Sequence, residues 1–408
     1  MKKRIINTLR ILVFFLICIN SSVSGQLILS GVVQDDDNKN PITDATVYIN
    51  GTTIGSSTDL NGLFTLTGVI LPCKIVVSRV GYNLKTLLLT DYSSDKLIIL
   101  LKQKTIQLSE IEVTGKNSRA TNVAKFSGYF LGSDTWSSKT FLKNEQVLEF
   151  KNYSDTFIEK TDTTNYVILK SDNNELSQDE NTVFHTKIFD IFSVKAQAPI
   201  VVDFPALGYK IFIDLVNFYL IKSPTNTICK YLAYYYYQPY EFKNKTTERK
   251  YMKNRQEAFY NSREHFCRML FQNKLKKNGY LVVSSIEDDY ASVQSQFTNL
   301  NDFIVYKNEN EAQIIGLKGK EFHIYGFYTH DNKPIDMSKP KEYKYSSVDE
   351  FWLGHYSFLR NKSIIKFASD TCIIRSDGTI FDNNIMFGGK MIKKKIDAMI
   401  PDIYIKNE

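Results

Sequence analysis

The sequence predicts a β-sandwich N-terminal domain followed by a β-rich α+β domain containing a helical pair. Short alternating apolar runs, separated by Gly, Asn, Asp and Pro, recur from residue 27 to about 114 at the spacing of an all-β sandwich. Strand-like runs fill the rest and are interrupted once by apolar positions at helical spacing. The chain has 408 residues, 43% of them hydrophobic, which excludes disorder and leaves room for more than one core. The expected division is a signal peptide over 1–25, a sandwich over 26–115 and an α+β domain over 116–408.

The N-terminus reads as a leader. Lys2, Lys3 and Arg4 precede nine apolar residues, Ile11 to Ile19, and then small polar residues up to Gly25. Nine helical residues rise about 14 Å, about half of a hydrocarbon core, so a secretory signal is expected rather than an anchor. Val23 and Gly25 are small enough for cleavage after Gly25. A lipidated Cys18 is the alternative, and bulky Ile17 before it speaks against that. No later apolar run is long enough to span a membrane as a helix, so the mature chain is expected to be exported without a transmembrane span.

The formal charge is +7, and four of the cations, Lys2, Lys3, Arg4 and Arg10, belong to the leader. The remaining excess is too small, and too scattered, to predict a nucleic-acid partner. Cys73, Cys229, Cys267 and Cys372 are too sparse for a disulfide scaffold and are expected as buried thiols. None forms a Cys-x-x-Cys pair that would favour zinc.

In the sandwich the expected strands are Leu27–Val33, Ala45–Ile49, Leu63–Leu66, Lys74–Val80, Leu84–Leu89, Leu97–Leu101 and Ile111–Val113. Asp35 to Asp37 with Asn38, Asn40 and Pro41 make the first turn. In the turn Asp59-Leu60-Asn61-Gly62, Asp59 can accept backbone N–H bonds and Gly62 can take positive φ, after which Phe64 points inward. The acidic triplet Asp35–Asp37 lacks the calcium-loop pattern and is expected as a solvated hairpin tip.

Five blocks then carry a family likeness. They are Gly31-Val32-Val33; Pro41-Ile42-Thr43-Asp44-Ala45-Thr46-Val47; Thr58-Asp59-Leu60-Asn61-Gly62-Leu63-Phe64; Val77-Ser78-Arg79-Val80-Gly81-Tyr82; and Leu108-Ser109-Glu110-Ile111-Glu112-Val113-Thr114-Gly115. In this order they resemble the carboxypeptidase-regulatory-like domain family. The resemblance implies a transthyretin-like sandwich of about seven strands, common in exported proteins of Gram-negative bacteria and found ahead of the plug of SusC-like TonB-dependent transporters. Residues 116–408 are too few for a plug and a 22-stranded barrel, whose strands alone need about 220 residues. A transporter is therefore not expected.

Nor does the chain carry the peptidase that the family name suggests. A zinc carboxypeptidase needs His-x-x-Glu and a distant second His, and none of His185, His265, His323, His330 and His355 has Glu three residues later. His-Glu-x-x-His, Gly-x-Ser-x-Gly and the phosphate-binding Gly-x-x-x-x-Gly-Lys-Ser/Thr loop are also missing. No metal site and no cofactor is expected.

In the second domain the expected strands are Ala124–Leu131, Gln146–Phe150, Asn165–Leu169, Val183–Val194, Pro199–Phe204, Tyr209–Leu220 and Tyr231–Phe242. After the helices come Tyr280–Ile286, Phe303–Tyr306, Ala312–Leu317, Glu321–Tyr328, Ile364–Ala368 and Thr371–Arg375. Asp377-Gly378 reads as a hairpin turn. Thr246 or Thr247 is expected to cap a helix running to about Tyr260. Asn261 with Glu264 resembles a capping box opening a second helix, which buries Phe266 and Leu270 with Cys267, Phe271 and Leu275 alongside. Lys274, Lys276 and Lys277 would suit its C-terminal dipole before Asn278-Gly279 stops it.

Two groups are candidate ligand-binding residues. Asn261, His265, Arg268 and Gln272 recur at spacings of four, three and four, so they share a helix face that can offer donors to an anion or a sugar; the alternative is a solvated polar face. Tyr234 to Tyr237 with Tyr240 and Phe242 form an aromatic strand, in which Tyr235 and Tyr237 would be a platform for sugar or peptide, or simply packed. With no catalytic constellation visible, the expected function is a non-enzymatic cell-envelope binding or assembly protein, in the periplasm or associated with the outer membrane, with an envelope or outer-membrane protein partner. The alternative is an envelope hydrolase, for example a glycosidase, whose two carboxylates come from distant residues.

Overall fold

In the computed structural model the chain is described over residues 27–91, 96–104, 116–132, 140–162, 165–170, 183–222, 227–242, 244–260, 262–287, 293–329, 333–338, 362–380, 384–389 and 391. The expected signal peptide, the strand Ile111–Val113, and Asn261, His330 and His355 lie outside these residues. Contacts divide the chain into two units. The first comprises Met1–Ile49, Ile54–Val77 and Tyr82–Gln103; the second comprises Asn50–Thr53, Ser78–Gly81 and Lys104–Glu408.

Period-two alternation builds the first unit. Its strands are β1 (Leu27–Asp35), β2 (Thr46–Ile49), β3 (Gly55–Ser57), β4 (Leu63–Val69), β5 (Cys73–Ser78), β6 (Lys85–Leu89) and β7 (Leu97–Leu101). They form two sheets of a β-sandwich, β4-β1-β7 and β3-β2-β5-β6, with β1 antiparallel to β4 and parallel to β7. Leu29, Val33, Val47, Phe64, Ile75 and Ile99 meet in the core between them.

The turn before β4 explains the Thr58-Asp59-x-x-Gly62 block. The buried Thr58 hydroxyl accepts from the Ala45 N–H at 2.8 Å and donates to the Ile42 carbonyl at 2.7 Å. Asp59 Oδ1 accepts from the amides of Asn61 and Leu63, at 2.9 and 2.8 Å. Gly62 has φ +71°, and a Cβ there would lie 2.5 Å from the Val33 carbonyl oxygen, so the position excludes every other residue. The acidic turn after β1 is less solvated than expected. Asp35 is only 2% exposed and turns inward onto four donors described below, while Asp36 and Asp37 remain outside.

The second unit begins with a correction. Ala124–Leu131, expected as a strand, falls almost entirely in helix α1 (Lys116–Phe130). Phe126 and Phe130 satisfy both periodicities, because four residues is two strand repeats and nearly one helical turn. Arg119 and Asn122 settle it, since with them the inward residues step by three and four. Asn122 is buried, and Arg119 donates to the Glu145 carbonyl at 2.8 Å and lies 5.6 Å from the centroid of the Phe150 ring.

Helix α1 packs on a seven-stranded antiparallel sheet. Its strands are β8 (Phe141–Leu142), β9 (Leu148–Asp162), β10 (Asn165–Lys170), β11 (Val183–Ala196), β12 (Ile200–Phe204), β13 (Tyr209–Lys222) and β14 (Thr227–Pro239), in the order β10-β9-β11-β13-β12-β8, with β14 also on β13. A bulge in β13 between Leu215 and Asn217 resets the alternation, so Ile211, Ile213, Leu215, Phe218 and Leu220 all face the same core as Phe126 and Phe130.

Helices α2 (Lys245–Phe259) and α3 (Arg263–Phe271) are the expected pair, with different caps. Asn244 Oδ1 accepts from the Thr247 N–H at 2.8 Å, so Thr247 is a capped residue and not the cap. Ser262 Oγ accepts from the His265 N–H at 3.0 Å and opens α3. That helix stops at Phe271, earlier than expected, because Asn273 adopts a left-handed φ of 54°; the lysines follow the helix and are not in it.

The remaining strands are β15 (Tyr280–Glu287), β16 (Val293–Phe297), β17 (Ile304–Tyr306), β18 (Glu311–Ile315), β19 (Glu321–Gly326), β20 (Lys362–Phe367), β21 (Thr371–Arg375) and β22 (Ile385–Gly389). They form the sheets β16-β15-β19-β20-β22 and β17-β18-β21, which share with α3 a second core around Phe266, Leu270, Tyr280, Ile324, Phe367 and Ile374. No helix among the described residues is long and apolar enough to cross a membrane.

Candidate functional site

Helix α3 carries three of the expected donors, and each has a different fate. His265, in the first turn, is 1% exposed. Its Nδ1 lies 2.8 Å from the Tyr280 hydroxyl of β15, and its ring meets those of Phe259 and Tyr260 edge-on at 4.9 and 5.3 Å. It therefore sits where the end of α2, from one core, meets α3 and β15, from the other. Arg268, one turn later, is half-buried against the Asp377-Gly378 turn: a Cβ on Gly378 would lie 3.1 Å from that of Arg268. Gln272 is the C-cap, and its N–H donates to the Arg268 carbonyl. The face is thus neither an open donor array nor a solvated surface at His265.

Arg263 and Glu264 occupy the outer side of the same turn, with Arg263 Nη2 2.8 Å from Glu264 Oε1. Burial would raise the Glu264 carboxyl, but the Arg263 guanidinium and the helix-terminal hydrogen bonds outweigh it and hold the group below its usual range. Cys267 is fully buried, and burial pushes its thiol well up, so it is inert as a nucleophile. Cys73, Cys229, Cys267 and Cys372 are all free thiols, three of them buried.

The tyrosine strand divides as alternation requires. Paired with Ile211 and Ile213 of β13, Tyr237 and Tyr235 share the core face, whereas Tyr234 and Tyr236 take the other. Tyr237 is 1% exposed and packs edge-on against Tyr209 at 5.8 Å. Burial raises the Tyr235 hydroxyl well above its usual range, and neighbouring Tyr231 raises it further. A ligand stacking on Tyr237 would have to displace core packing, whereas Tyr235 is half-buried against the same core. On the opposite face Phe212 and Tyr236 lie 6.0 Å apart.

Arg255 was not singled out by the sequence, yet it organises this end of the sheet. Buried on the inner side of α2, it donates from Nε to the Leu207 carbonyl at 2.7 Å and from Nη2 to the Gly208 carbonyl at 3.3 Å, and its guanidinium stacks 4.0 Å from the Tyr209 ring centroid. The signal was present: Arg255 precedes Ala258 and Phe259 by three and four, so it lies on the apolar stripe. Among the described residues no three His, Cys, Asp or Glu side chains converge as a metal site.

In the first unit the polar centre is Asp35. Its Oδ1 accepts from the amides of Asp37 and Asn38, at 2.9 and 3.1 Å, and its Oδ2 from the Tyr82 hydroxyl and the Gln103 amide, both at 3.0 Å. These bonds tie the ends of β1 and β7 to the Gly81-Tyr82 turn. Together with the Thr58-to-Gly62 turn, they place two of the shared blocks, those ending in Phe64 and Tyr82, at structural joints of a seven-stranded sandwich. Residues 29–113 are a carboxypeptidase-regulatory-like domain, matching the family model described as CarboxypepD_reg-like. The match ends at residue 113 and does not extend over residues 114–408. No curated protein matches the sequence. Within the regulatory-like domain Asp35, Thr58 and Asp59 are thus engaged by its own turns.

One outward sheet face of the domain carries an apolar row. On the outer face of β4-β1-β7, Val32 is flanked directly by Leu63 on one side and Ile98 on the other. Leu63 and Ile98 are 39% and 68% exposed, and Ile28 stands exposed on the same face. The intervening positions Ser30, Gln34, Thr65 and Thr67 are uncharged.

Proposed function

We propose that the protein is an exported, non-enzymatic binding or assembly protein of the cell envelope, whose regulatory-like domain acts as an adaptor for an outer-membrane protein partner. The observation that carries this reading is the uncharged row Leu63, Val32 and Ile98 across three strands of that domain. Charge is depleted and apolar side chains are concentrated at the centre of protein interfaces, and a sheet face presents them in a flat, preorganised array. The leader-like N-terminus supports export. Affinity capture from detergent-solubilised envelope tests the reading, using the wild type and Ile98→Lys. A stoichiometric outer-membrane protein is expected with the wild type and is lost with Ile98→Lys at unchanged melting temperature. A chain that stays monomeric and captures nothing sinks the proposal.

A further inference from the structure

Helix α2 presents two chemically opposite sides. Arg255, Ala258 and Phe259 are buried, and the turn capped by Asn244 fixes the helix start. On the outward side Lys245, Arg249 and Lys253 recur every four residues, so their side chains form one stripe, with exposed Lys250 beside it. Glu257 is the acid on that stripe, 3.9 Å from Lys253; Glu248 is half-buried, and Glu241 precedes the cap. Two large apolar side chains stand exposed nearby, Met252 at the border of the stripe and Phe242 beside Tyr251. Met252, three residues after Arg249, is 49% exposed, and Phe242, just before the cap and 6.2 Å from the Tyr251 ring, is 44% exposed.

We propose that this side of α2 docks on an anionic phospholipid surface, with the cations over the headgroup phosphates and Met252 dipping among the acyl chains. This site is independent of the adaptor reading. Cations on long flexible stems, bordered by the exposed Met252, suit a laterally mobile layer of headgroups, which adapts to the stripe. An acidic protein would need carboxylates fixed in matching register and would give Met252 no apolar medium. Each Lys or Arg near such a surface strengthens binding about fivefold, and the attraction is screened by salt.

Co-sedimentation of the whole chain with vesicles of phosphatidylcholine, alone or mixed with phosphatidylglycerol, tests this. The protein should partition onto the mixed vesicles and not the neutral ones, and should leave them as ionic strength rises from about 0.1 M to about 1 M, where the screening length falls from about 10 Å to about 3 Å. Lys245→Glu with Arg249→Glu should weaken partition about a hundredfold or more. The helix should persist, because acidic side chains suit its first turn and the position four before Lys253. Its melting temperature checks that. Met252→Ser should weaken binding without changing its salt dependence. Failure to bind the mixed vesicles, equal binding to neutral ones, or binding that survives the charge reversal overturns the proposal. The adaptor reading fails on a different result, the missing partner in the capture experiment.

Discussion

Asp35 Oδ2 accepts the Tyr82 hydroxyl at 3.0 Å, joining the end of β1 to a turn 47 residues later. The Asn38 amide does most to hold the Asp35 carboxyl below its usual range. Burial opposes it, and Gln103, the Asp37 amide and Tyr82 add to the lowering. A carboxyl depressed in the folded state stabilises the fold above its unfolded value, about 3.9, and that contribution fades as pH falls through the lower folded value. The melting temperature of the wild type should therefore fall as pH drops below about 4. Asp35→Asn should melt lower at neutral pH and lose this part of the acid dependence. Tyr82→Phe should do the same to a smaller degree. Identical acid profiles for wild type and Asp35→Asn would refute the assignment.

Thr58 joins the two halves of the Pro41-to-Phe64 region through a buried hydroxyl that both donates and accepts. Thr58→Val keeps the shape but strands the Ala45 N–H and the Ile42 carbonyl, and should cost about 1–3 kcal/mol in chemical denaturation. Thr58→Ser keeps the hydroxyl and should recover most of that loss. If Ser and Val behave alike, packing and not hydrogen bonding explains the position.

The sandwich was legible because its signals are local: alternation in β1 and β4, and a turn whose residues bond to backbone a few positions away. The helical pair was legible from its apolar stripe. Helix α1 was not legible because Phe126 and Phe130 fit either period, and the deciding partners, Glu145 and Phe150, are remote in sequence. The surroundings of the candidate residues were not legible for a related reason. Polar spacing places His265 and Arg268 on one helix face, but whether that face meets solvent depends on Tyr280 and on the Asp377-Gly378 turn, which arrive later in the chain. Likewise the alternation of Tyr234 to Tyr237 was evident, while which pair faces inward is set by the register with β13.

Arg255 and Gly208 form a second testable joint. Gly208 has φ +71°, and a Cβ there would lie 2.5 Å from the Tyr251 ring, while its carbonyl takes a bond from Arg255. Gly208→Ala combines backbone strain with overpacking and should cost about 2–4 kcal/mol. Arg255→Met keeps the stem but leaves the Leu207 and Gly208 carbonyls without these donors, at about 2–4 kcal/mol. Arg255→Lys should recover little, because one ammonium cannot hold both carbonyls and also stack flat on Tyr209. Thermal unfolding followed by circular dichroism checks the series, and an Arg255→Lys variant as stable as wild type would contradict the clamp.

His265 and Tyr280 can be separated from their packing by a double-mutant cycle. Tyr280→Phe removes the hydroxyl and leaves the ring in its edge contact with Phe266 at 5.3 Å, so its cost isolates the bond to Nδ1 and should be about 1–3 kcal/mol. His265→Leu removes the nitrogen but also the ring between Phe259 and Tyr260, and should cost more. With both changes the unsatisfied polar group disappears from each partner, so the pair should cost less than the sum of the two, by about 0.5–3 kcal/mol. Because the two residues stand where α2 meets α3 and β15, hydrogen exchange in both helices should rise together in Tyr280→Phe. A coupling energy near zero would mean that the 2.8 Å contact adds nothing to aromatic packing, and that the joint is held by Phe259 and Tyr260 alone.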